Sequence, residues 1–115
     1  MSGLCLRDAT RNSILAGEIS YAASLRGKTK GLLDDISPRA LFFETRWGIH
    51  TFGMRFPIDV LVCDRTWRVR AMREALPPKR FFFWNPVLFR VFELPAGTIR
   101  ERHVAFHDVL AIVPR

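Results

Sequence analysis

The stretch Ile58-Asp-Val-Leu-Val-Cys-Asp-Arg-Thr-Trp-Arg-Val-Arg-Ala-Met72 decides the fold class. Its first six residues are β-branched or apolar apart from one aspartate, which makes this the best strand in the chain. Asp64-Arg-Thr-Trp67 then reads as a tight turn. Beyond it Val69 and Ala71 alternate with Arg68 and Arg70, the period of a half-buried strand pairing back as a hairpin.

Other short strands lie on either side. Arg11 to Tyr21 mixes β-branched residues with turn formers and reads as one or two strands. Ala40-Leu-Phe-Phe43 is another, Thr51 to Met54 a further candidate ended by Pro57, and Leu88 to Leu94 and Val109 to Val113 complete the set. Glu44 to Gly48 and the proline-bounded segment from Pro77 to Pro86 read as loops. Ala22 to Leu33 carries apolar residues at a helical spacing and is predicted as a short helix despite Gly27 and Gly31. Thr98 is placed to cap a single helical turn through Arg102 with its hydroxyl. The expectation is a mostly β domain, with α+β as the variant. It is a compact small barrel or sandwich with one short helix packed on it.

The 115 residues suit a single domain, 49% hydrophobic and 25% charged, with ten Phe and three Trp to fill a core. Eighteen Lys and Arg against 11 Asp and Glu give a formal charge of +7, which favours anionic partners. Cys5 and Cys63 stand in unlike settings and do not suggest a disulfide framework. The N-terminus has no basic region followed by an apolar core, and no apolar run is long enough to span a bilayer. A cytoplasmic protein without a transmembrane segment is expected.

Polar residues inside apolar stretches mark the candidate chemistry. Ile49-His-Thr-Phe-Gly-Met-Arg-Phe-Pro-Ile-Asp-Val60 places His50, Arg55 and Asp59 in a segment that folding normally hides, and Glu93 sits in a second strand. Buried charges require partners. One reading is an internal polar lock. The other is a ligand-binding pocket of His50, Met54, Arg55, Asp59 and Glu93, with Arg55 clamping an anionic small molecule and His50 exchanging protons. A hydroxyl nucleophile at Thr51 is disfavoured because neighbours on a strand face opposite ways. Cys63 reads as an inert core thiol. His103 and His107 lie in turn-like sequence and no cysteine pair has zinc spacing, so no metal and no cofactor is expected. Arg68 and Arg70 share a face that reads as solvated.

Lys79-Arg-Phe-Phe-Phe-Trp84 sets cations beside consecutive aromatics. This pattern suits a protein partner, an anionic membrane surface or stacked nucleic-acid bases. Phe81 and Phe83 are expected to fold over the core, leaving Lys79, Arg80, Phe82 and Trp84 as the interaction surface.

Three blocks resemble the domain of unknown function 192 family: Arg26-Gly-Lys-Thr-Lys-Gly-Leu-Leu33, the Ile49–Val60 block, and Phe92-Glu-Leu-Pro-Ala-Gly97. The resemblance runs from about Ile14 to Val113. His107-Asp108 stands where the family usually has Gly-Asp, so His107 must accept the backbone angle of a glycine. Asp34-Asp35 replaces the usual Gly-Arg, and Asp64-Arg-Thr-Trp67 replaces the usual Asp-Gly turn. The resemblance implies a small β-rich domain with a short helix and carries no established reaction. The function expected is therefore a non-catalytic binder of an anionic small molecule or an accessory interaction module. The alternatives are a small hydrolase-like or acid/base enzyme using His50 and Arg55, and a nucleic-acid or membrane-surface binder acting through the basic, aromatic loop.

Overall fold

The computed structural model describes residues 3–21 and 40–115. The helix expected over Ala22 to Leu33 and the block Arg26–Leu33 lie outside them, as do Asp34 and Asp35. The described residues form ten strands: β1 (Leu4–Asp8), β2 (Ser13–Ala16), β3 (Ile19–Tyr21), β4 (Ala40–Glu44), β5 (Gly48–His50), β6 (Ile58–Cys63), β7 (Val69–Leu76), β8 (Phe81–Phe83), β9 (Arg90–Pro95) and β10 (Leu110–Pro114). Among them a helical turn, α1 (Thr98–Arg102), follows β9.

The strands form a five-stranded sheet in the order β3-β4-β9-β6-β7, a three-stranded sheet β10-β1-β2, and a two-stranded ribbon β5-β8. The sheets stack in layers rather than closing into a barrel. β6 lies between β9 and β7, and all six of its residues are buried because both faces of the central sheet are covered. Leu61, Cys63, Phe92 and Leu94 pack on one side with Leu6, Leu110 and Ile99 of the three-stranded sheet and α1. Val60, Val62 and Val91 pack on the other with Ile49 and Trp84 of the ribbon. The mostly β architecture expected from the sequence is the one observed.

The hairpin from β6 to β7 is built as its turn chemistry predicts. Asp64 Oδ1 accepts from the Thr66 N–H at 2.8 Å and the Thr66 hydroxyl at 2.6 Å. This holds a turn that puts Trp67 in the left-handed region at φ 66. The Trp67 ring leans on Phe42 and Phe92. His107 occupies φ 77, the glycine-like angle its position demands.

Three local expectations change. Thr51 to Met54 is a turn, and the strand before it is Gly48–His50. The Pro77–Pro86 segment is not all loop: its prolines stand outside Phe81–Phe83, which is free to pair with β5. Thr98 is not the helix cap. Gly97 takes the cap position at φ 98, and the Thr98 hydroxyl donates to the Pro95 carbonyl at 2.7 Å.

A carboxyl pair ties the two ends of the chain together. Asp8 and Asp108 are both buried beside Arg11, whose Nε donates to Asp108 Oδ2 at 2.7 Å. Burial and the hydrogen bond it shares with Asp108 raise the Asp8 carboxyl to about 6. Burial also acts to raise Asp108, but bonds from Asp8, the Ala105 N–H and Arg11 outweigh it and hold Asp108 below the usual carboxylate range. Asp8 therefore holds its proton more tightly folded than unfolded. Its contribution to stability is present at low pH and is lost as pH rises through the interval between about 4 and 6. Asp108 acts in the opposite sense, below about 4. The melting temperature of the wild type is expected to fall by a few degrees from pH 5 to pH 7. Asp8→Asn, which keeps a donor toward Asp108, should flatten that interval. An equal pH slope in the variant would refute the assignment.

Candidate functional site

The polar residues of the Ile49–Val60 block do not converge. Asp59 is fully buried on the face of β6 that meets α1. Its Oδ1 accepts from the Ala75 N–H and its Oδ2 from the Ile99 N–H, both at 2.8 Å. The carboxylate thus supplies, from a neighbouring strand, the acceptor that the first turn of α1 lacks. It also fixes Ala75 at φ 48 in β7. Glu93 is buried in β9, but its register partner on β6 is Val60, whereas Asp59 pairs with Leu94. Cross-strand partners share a face, so Glu93 points to the ribbon side and Asp59 to the helix side. Met54 is a core residue on the ribbon side.

His50 and Arg55 are exposed. His50 ends β5, where its Nδ1 accepts from the Phe52 N–H at 3.2 Å. Arg55 lies in the following turn. Among the described residues, Arg55 forms no ion pair with a buried carboxylate, the pairing the sequence suggested. A cleft between β2, β3 and Pro95 contains none of these residues. Thr51 is buried, and its hydroxyl donates to the Pro77 carbonyl at 2.6 Å and accepts from the Arg80 N–H at 2.9 Å. It fastens the ribbon's two turns together. Cys63 and Cys5 are buried free thiols, and desolvation pushes the Cys63 thiol well above its usual range.

The ribbon β5-β8 gathers the exposed groups. Its pairs are Gly48 with Phe83, Ile49 with Phe82, and His50 with Phe81. Ile49, Phe82 and Trp84 face inward, Trp84 being 9% exposed with its indole Nε1 donating to the Leu88 carbonyl at 3.0 Å. Phe81 and Phe83 face outward at 56% and 67% exposure. This reverses the expectation that placed Phe82 and Trp84 on the surface. The buried indole finds an acceptor for its N–H, and the period of two does the rest. Lys79 and Arg80 are exposed, as expected.

The outer face is an aromatic row. The Phe81 and Phe83 rings lie within 12° of parallel with centroids 5.5 Å apart. Phe52 meets Phe81 edge-on at 5.2 Å, and His50 lies 5.7 Å from Phe52. Trp47, also exposed, precedes β5, and its carbonyl accepts from the Trp84 N–H. Gly48 makes the flat packing possible: a Cβ there would stand 2.6 Å from the Phe83 ring and 2.5 Å from the Phe82 carbonyl. No acidic residue occurs from Thr45 to Ile58 or from Ala75 to Phe92, the two segments that form the ribbon and its turns. Arg46, Arg55, Lys79 and Arg80 are exposed in them. Sequence reasoning missed Trp47, Phe52, Phe81 and Phe83. The acid-free composition of both segments was the available signal. Arg68 and Arg70 are engaged elsewhere, Arg68 with the His107 carbonyl and Arg70 with Asp64.

Neither a protein-family model nor a curated protein matches the chain. Two solved structures share its fold. A candidate transcription regulator from Sinorhizobium meliloti superposes with a TM-score of 0.77 at 20% identity, covering 96% of this chain and 93% of that one. A protein of unknown function from Novosphingobium aromaticivorans gives a TM-score of 0.76 at 12% identity, covering 95% of this chain and 83% of that one. At such identities the likeness concerns the fold. Among the described residues no helix is long and apolar enough to cross a membrane.

Proposed function

We propose that this chain is a non-catalytic interaction module of the cytoplasm that takes an anionic partner on the outer face of the β5-β8 ribbon. The observation that carries the reading is the acid-free, arginine- and lysine-flanked row of exposed aromatics on that face. Aromatic rings left in water at this density mark an interaction surface more than a solvated one. The placement of Asp59 supports binding rather than acid/base catalysis, because its carboxylate is committed to the Ala75 and Ile99 N–H groups on the helix side of the sheet, away from the ribbon. The blocks Ile49–Val60 and Phe92–Gly97 support placing the chain with the domain of unknown function 192 family.

Amide chemical shifts recorded while inorganic polyphosphate is titrated into the protein test the reading. Shifts should concentrate at residues 46–56 and 79–84 and vanish as salt is raised. Shifts dispersed over β1, β2 and β10, or none at any concentration, would reject the ribbon as the binding face.

A further inference from the structure

We infer that the partner of the ribbon is single-stranded nucleic acid, with successive bases stacking on Phe81 and Phe83 and the phosphates following the cations beside them. The inference rests on the ribbon being the binding face and adds the class of partner.

Three features carry it. Phe81 and Phe83 are alternate residues of one strand, spaced about 6.8 Å along the backbone, close to the separation of extended neighbouring nucleotides. Their near-parallel rings form an offset stack with exposed outer faces, seated on Gly48 where any larger residue would lift Phe83, and bounded at the Phe81 end by Phe52 and His50. Stacking on such rings is tolerant of base identity, since every base has a π-face. The two segments that build the face carry cations alone: Arg46, Arg55, Lys79 and Arg80 are exposed in them, and neither contains a carboxylate. A protein partner would usually meet a rim of mixed sign. Insertion into a lipid interface uses an apolar wedge standing clear of the surface. Here Phe81 and Phe83 lie alongside one another, with a histidine among the neighbouring rings.

The test is fluorescence anisotropy of labelled single-stranded RNA and DNA octamers with the whole protein. An abasic phosphodiester chain of equal length and vesicles of mixed zwitterionic and anionic lipid serve as competitors. Phe81→Ala and Phe83→Ala should each weaken octamer binding about tenfold or more. Phe81→Leu should do the same while keeping an apolar side chain in the strand, which separates loss of the π-face from loss of the fold; thermal melts verify that each variant is folded. Four phosphate contacts give a slope of log affinity against log salt of about −3, and Arg80→Ala should reduce it by about 0.7. A preference for RNA over DNA would identify the strand type. If the abasic chain competes as well as the octamers, the inference fails although the anion-binding ribbon surface stands. If only vesicles bind, a lipid surface replaces nucleic acid. If neither polyphosphate nor octamers perturb the ribbon, both readings fall together.

Discussion

Asp59→Ala is expected to remove a large part of the stability of this protein, while Arg55→Ala, four residues earlier in the same block, leaves it almost untouched. The Asp59 carboxylate is fully buried and accepts from two backbone N–H groups, Ala75 in β7 and Ile99 in α1. Alanine leaves both donors in a dry site. Each uncompensated donor costs about 1–3 kcal/mol, so a loss of about 4 kcal/mol is expected. A domain of this size holds about 5–15 kcal/mol in total. The loss has two geometric consequences. α1 loses the acceptor for its second residue, because Gly97 supplies no side chain. Ala75, a non-glycine residue at φ 48, loses the bond that holds it there. Asp59→Asn keeps one acceptor but turns an N–H toward a donor, so an intermediate loss is expected. Arg55 is exposed in a turn and makes no hydrogen bond or ion pair with another described residue; its removal should change stability by less than about 0.5 kcal/mol. Urea denaturation of the variants measures both. Equal losses would mean that Arg55 and Asp59 belong to one network, contrary to their positions here.

The contrast explains how much of the site the sequence could reveal. That Asp59 would be buried and bonded was readable, because an aspartate inside Ile58–Cys63 has nowhere else to go. Which groups it would meet was not, since Ala75 and Ile99 are 16 and 40 residues away and give no polar signal of their own. Asp59 and Glu93 looked like candidates for one pocket because both sit in central strands. Their faces depend on pairing register, and a shift of one residue sends a side chain to the other side of a sheet. Here Val60, not Asp59, is opposite Glu93. Local turn chemistry, by contrast, was legible. Asp64 holds the hairpin by its own side chain, and His107 takes up the angle that a glycine would otherwise provide.

The phase of Phe81-Phe-Phe-Trp84 was the decisive ambiguity. Four consecutive aromatics satisfy either alternation equally, so composition cannot say which pair is exposed. Two distant contacts choose: Ile49 of β5, already committed to the core, lies opposite Phe82, and the Leu88 carbonyl accepts the Trp84 indole N–H. Once Phe82 and Trp84 are inside, Phe81 and Phe83 must be outside, and the binding face is a consequence of core packing.

Trp84→Ala is accordingly expected to cost about 3–5 kcal/mol and to remove binding from a surface that Trp84 itself barely touches. The indole is buried against Phe82, with ring centroids 5.3 Å apart and planes at 67°, in the layer between the ribbon and the central sheet. The ribbon has three residue pairs, too few for a hairpin to hold together by itself. Its order therefore comes from docking, and Trp84 and Ile49 are its anchors. Deleting the indole should loosen the ribbon before the rest of the sheet. Hydrogen exchange at Ile49, Phe82 and Thr51 should accelerate well ahead of exchange at Val60, Leu61 and Val62 in β6. Phe83→Ala removes a ring of comparable apolar area from an exposed position and should leave the exchange at Ile49 nearly unchanged. Partner affinity should fall in both variants for different reasons: in Phe83→Ala a stacking face is missing from an ordered ribbon, and in Trp84→Ala the face is present but the strand that presents it is not held. If Trp84→Ala leaves exchange at Ile49, Phe82 and Thr51 at the wild-type rate, the ribbon is ordered by something other than this anchor, and the link from core packing to surface is broken.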